Sequence, residues 1–159
     1  MEPRIVELPK LYFIGLKAQL TMKETDTICP ALWSDLMSQS QDLDGNEELM
    51  CIAACLAAEN CGENDTFTYM AGFASDKAIP PRPGFISHEI SACTYAVFTH
   101  KGSVMNMGET YDYAYKTWLP NSKYQVKWHE DLEHYDSRFD PENSEKSEMD
   151  IYIPIQEKQ

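Results

Sequence analysis

No apolar run in the 159 residues approaches the roughly 20 that a membrane-spanning helix needs. The start, Met1-Glu2-Pro3-Arg4, lacks the basic-then-apolar order of a secretion signal, so a cytoplasmic setting is expected. Basic residues are scarce: 13 Lys and Arg face 26 Asp and Glu, for a net charge of −13. Without a basic stripe such a surface repels nucleic acid, and direct DNA binding is not expected. The same field favours cationic ligands or basic protein surfaces, although acidity alone also serves solubility. A glycine-rich phosphate loop is missing, and His88, His100, His129 and His134 are scattered without metal-ligand spacing. The five cysteines are odd in number and contain no Cys-x-x-Cys knuckle. Cys51 and Cys55 fall in an apolar stretch, so free thiols are expected, with no metal and no cofactor.

What is present is one pattern stated twice. Hydrophobic residues make up 43% of the chain, enough to bury a core, and a single domain over residues 1–159 is expected. Residues 5–19 read as one strand, broken near Pro9 and bulged at Gly15. A helix follows, with Thr27 as N-cap, Pro30 in its first turn, and Ile28, Leu32, Trp33, Leu36 and Met37 on one face. Residues 50–56 and 67–73 read as strands about a turn at 61–65. The segment 75–83 carries Pro80, Pro81 and Pro83 and reads as a connection.

The second half repeats the order. Residues 93–99 form a strand ending at Lys101-Gly102. Tyr111, Ala114, Tyr115, Trp118 and Leu119 keep helical spacing, and Pro120 reads as a stop. Residues 130–135 and 149–155 are strands, with a polar loop between them. The expected fold is α+β: two strand-helix-strand-strand repeats, about 1–75 and 90–159, in antiparallel sheets with a ligand cleft between the halves. The alternative is that the halves bury their second faces against each other.

Strand parity then selects candidate site residues. In the last strand Met149, Ile151, Ile153 and Ile155 share the face that belongs under the helix; Asp150, Tyr152 and Pro154 share the other. Glu133 and Tyr135 lie on one face of the preceding strand, with His134 opposite. If the two strands pair, Glu133, Tyr135 and Tyr152 converge. Tyr69 lies on an aromatic face with Phe67 and Phe73.

The run from Tyr95 to Gly102, then Trp118-Leu119-Pro120, then Asp131-Leu132-Glu133-His134-Tyr135-Asp136 with residues 149–155, resembles the second repeat of GyrI-like, or AraC-type effector-binding, domains. The resemblance covers essentially the whole chain and implies a cleft between tandem repeats. It further implies binding of lipophilic cations by a carboxylate among aromatic rings, and that carboxylate falls on Glu133. Tyr69, Tyr135 and Tyr152 are the candidate rings. Trp33 and Tyr111 line the cleft from the helix ends or pack the core, and Met107 supplies adaptable apolar surface. Trp118 is assigned to the core. The expected role is non-catalytic binding linked to transcription regulation. Two alternatives stay open: a hydrolase using Glu133 with Tyr152 or Tyr69, and a protein-interaction role, with a basic partner or a second copy of the chain.

Overall fold

The computed structural model describes residues 1–58 and 61–159. Among them, nine strands join in one antiparallel sheet. In chain order these are β1 (Arg4–Leu8), β2 (Leu11–Leu20), β3 (Met50–Leu56), β4 (Phe67–Ser75), β5 (Ile86–Ile90), β6 (Cys93–Lys101), β7 (Tyr124–Val126), β8 (Glu130–His134) and β9 (Glu148–Glu157). The lateral order is β1-β6-β9-β8-β3-β4-β2-β5, with β7 also on β9.

Residues 5–19, expected as one strand, are two. β1 pairs with β6 of the second repeat, while β2 pairs with β4 and β5. The exchange is reciprocal: the strand that leads into each repeat is bound by the other. β1 and β2 are separated only by Pro9 and Lys10, yet lie near opposite ends of the sheet. Ser91 and Ala92 alone separate β5 from β6, which sit at opposite ends as well. Three Cα-to-Cα steps span at most about 11 Å, so the ends must approach and the sheet must curl. Its inner face closes as one cluster that includes Leu11, Phe13, Ile52, Met70, Tyr95, Val97, Leu132 and Tyr152.

Curling is sharpened where β2 crosses β4. Gly15 faces Gly72 in unbroken register, so Gly15 is a close-approach position rather than a bulge. A Cβ on Gly15 would fall 2.1 Å from the Ala71 carbonyl oxygen.

Both helices lie on the outer face. The first, α1 (Thr25–Gln39), starts earlier than Thr27 because a short 3-10 turn, Met22–Glu24, precedes it with a Thr21–Glu24 capping box. Pro30 therefore stands inside the helix rather than in its first turn. Leu36 is fully buried, and Ile28, Leu32, Trp33 and Met37 pack on Ile14, Ala71 and Phe73. The second, α2 (Met107–Asp112), continues through a π-helical segment, Tyr113–Trp118, into a last α-turn, Leu119–Asn121, that includes Pro120. Ala114 and Trp118 cover Phe98, Met149, Ile151 and Ile153, as the parity of β9 predicts.

Candidate functional site

The halves meet where β3 pairs with β8, leaving a seam on the outer face between α1 and α2. Two rows of side chains floor it. One runs Ala71, Ala53, Glu133, Ile151 across β4, β3, β8 and β9. The next runs Tyr69, Cys55, Asp131. Ala53 and Ala71 carry single methyl groups, which leaves height above the floor beside Glu133.

Glu133 is 5% exposed. A buried carboxylate is costly unless its oxygens are bonded. Here Tyr111 donates to Oε2 at 2.7 Å, Tyr135 donates to Oε1 at 2.8 Å, and the Cys55 thiol approaches Oε2 at 3.9 Å. Burial pushes the carboxyl pKa above its ordinary value, against the pull of the Tyr111 and Tyr135 hydrogen bonds, which favour the anion. The neighbours respond. Burial and then the Glu133 charge raise the Tyr69, Tyr111 and Tyr135 phenols. The same two causes push the Cys29 thiol up to about 12.

From α1, Trp33 donates its indole N–H to the Tyr69 hydroxyl at 2.8 Å and meets Tyr135 edge-on at 5.4 Å. Phe139 meets the Tyr135 ring at 4.8 Å. From α2 and the π-helical segment that continues it, Tyr111 and Tyr115 reach Glu133 and Asp131. Tyr115 donates to Asp131 Oδ2 at 2.5 Å. Burial pushes Asp131 up to about 7.

The structure thus brings Glu133, Tyr69, Tyr135, Trp33 and Tyr111 together. Met107 packs one turn before Tyr111, against the core under α2. Tyr152 does not converge. Leu132, not Glu133, is its partner across β8 and β9, so the one-residue parity of the strand sends it to the inner face. There it is 8% exposed against Tyr95 and His134. The pairing of Glu133 with Tyr152 as acid and base is overturned by the same register.

Asp131, Tyr115, Cys55 and Cys29 were not among the expected site residues. Asp131 shares the parity of Glu133 and Tyr115 is four residues from Tyr111, so both were findable once the two elements were known to face each other. All five cysteines are free thiols.

The seam is closed, with rings over the carboxylate. Two surface cavities lie elsewhere: about 280 Å³ beside Leu56, Trp128 and Glu130, and about 610 Å³ beside Arg4, Thr99 and Tyr113. On the inner face, atoms of His134, Asp136 and Asp150 lie within 4.8 Å of one another. Arg138 donates to both of those carboxylates, and Arg4 and Thr99 complete Asp150. That group is a bonded ion-pair network tying β1 and β6 to β9.

Residues 1–156 match the GyrI-like small molecule binding domain family. The chain is 31% identical over 155 residues to the transcriptional regulator BrlR of Pseudomonas aeruginosa, covering 98% of this chain and 56% of that protein. The chain therefore spans little more than half the length of this relative. Among solved structures, a putative transcription regulation protein from Staphylococcus aureus MU50 is similar, with a TM-score of 0.67, 19% identity, and coverage of 98% of this chain and 99% of the other. The structure of SAV2435 bound to tetraphenylphosphonium is similar with a TM-score of 0.66, 18% identity, and coverage of 98% and 94%. No described helix is long and apolar enough to cross a membrane.

Proposed function

This chain belongs to the GyrI-like small molecule binding domain family, and we propose that it binds lipophilic cations without turning them over, with Glu133 as their counter-ion. The observation that carries this reading is the burial of an acceptor-only carboxylate beneath four aromatic side chains: Trp33, Tyr69, Tyr111 and Tyr135. A cation relieves the desolvation of Glu133; a neutral molecule of the same shape does not. Ring faces add about 0.5–2 kcal/mol each when desolvated. Apolar surface removed from water adds about 25 cal/mol per Å².

Entry requires the rings to part. Tyr111 and Tyr135 give up their bonds to Glu133, and the cation takes their place. These forces are weakly directional, so flat or globular onium ions of several shapes fit one site. Such a module reports the presence of its ligand to transcriptional machinery, as befits a chain related to a regulator. The site reads positive charge on an apolar body.

The test is a titration of tetraphenylphosphonium into the wild type and Glu133→Gln, followed by calorimetry. Micromolar binding, near −8 kcal/mol, is expected for the wild type. At least tenfold weaker binding, about 1.4 kcal/mol, is expected for the variant. Equal affinity in the two proteins overturns the role of Glu133.

A further inference from the structure

Asp131 is the feature of the seam that a single positive charge leaves unexplained. Its Oδ2 accepts from Tyr115, but Oδ1 is shut off from solvent and has no hydrogen-bond partner among the described residues. A buried acceptor left bare costs free energy that selection normally removes by supplying a donor. The residue lies on the same face of β8 as Glu133, two positions away, with Cys55 directly across from it. It shares the Glu133 environment: each carboxylate is held by a tyrosine of the same helical face, one turn apart. Two carboxylates on one strand face, two positions apart, one of them with a free oxygen, specify more than a lone onium ion.

We propose that the seam binds a dicationic aromatic ligand, one charge on Glu133 and the second, an N–H-bearing ammonium or amidinium, donating to Asp131 Oδ1. This rests on the cation-binding reading above and names its ligand class. A quaternary onium has no N–H and cannot satisfy Oδ1, whereas a protonated amine can. The charge-assisted bond so formed is short and strong in a dry site. The aromatic body lies between the charges, under Trp33 and the tyrosines.

The probes are 1,4-bis(aminomethyl)naphthalene and 1-(aminomethyl)-4-methylnaphthalene, which differ in one ammonium group on the same ring system. Each is titrated at pH 8, above the value to which burial lifts Asp131, into wild type, Asp131→Asn and Glu133→Gln. The wild type is expected to prefer the diamine at least tenfold. Asp131→Asn is expected to lose that preference. The preference is expected to survive 0.5 M salt, because screening removes attraction to the general acidic field of the surface but not to a buried partner.

Three results overturn the inference. A wild type that binds both amines equally, with the monoamine lost in Glu133→Gln, removes the second subsite and leaves the cation site standing. A diamine preference that persists in Asp131→Asn assigns it to the net charge of the protein. Failure of both amines and of tetraphenylphosphonium to bind the wild type removes both readings together. The wild-type comparison stands without any variant, so poor folding of Asp131→Asn does not shield the idea.

Discussion

At Glu133 two effects oppose each other: burial favours the neutral acid, and the hydroxyls of Tyr111 and Tyr135 favour the anion. Burial wins, and the carboxyl titrates above its ordinary range. Cation binding requires the anion, so proton and ligand compete. Affinity for tetraphenylphosphonium is expected to be flat at alkaline pH and to fall about tenfold per pH unit below the Glu133 pKa. In Glu133→Gln this acid limb is expected to vanish. An acid limb that persists in the variant would place the titrating group elsewhere. At Tyr152, one residue of register separates an expected ligand-binding ring from a core residue beside Tyr95 and Leu132.

Among the elements, the β2–β4 crossing sets the curl that carries the seam. Gly15→Ala drives a methyl group into the Ala71 carbonyl, and backbone must move to admit it. A loss of about 1–3 kcal/mol is expected, the usual range for overpacking, read as a lower urea midpoint. Most of the elements were legible beforehand. The strand limits at 50–56, the face of β9, and the α1 stripe all follow from short-range periodicity, and so does the side of β8 on which Glu133 stands. What periodicity cannot supply is the partner. The reciprocal pairing of β1 with β6 and β5 with β2 is set by the closure of the sheet, which no local pattern encodes. The three-residue β7 is too short to stand out from its flanking loops. The meeting of Tyr115 with Asp131 depends on how α2 sits over β8, including its π-helical segment, and so was equally invisible.

For the whole molecule, the acids of the seam trade stability against function. The folded-state value of Asp131, about 7, lies above its unfolded value of 3.8. The protonated acid is thus favoured by folding, and its stabilising contribution is complete below pH 4 and lost as pH rises through 7. Asp131→Asn, a neutral replacement, is therefore expected to raise stability at pH 8 by about 1–3 kcal/mol and to change it far less at pH 4. Thermal unfolding at the two pH values checks this. A variant destabilised equally at both would show that the carboxylate is needed for packing rather than held at a cost. Ligand binding is expected to raise the melting temperature as well, as the cation stabilises the charged seam.

The most direct measurement is a crystal structure of the protein with tetraphenylphosphonium. The cation is expected in the seam, its rings against Trp33, Tyr69 and Tyr135, with Tyr111 turned away from Glu133 and the carboxylate facing the phosphonium. A cation seated instead in the cavity beside Trp128 and Glu130, with both tyrosine bonds to Glu133 intact, would contradict it.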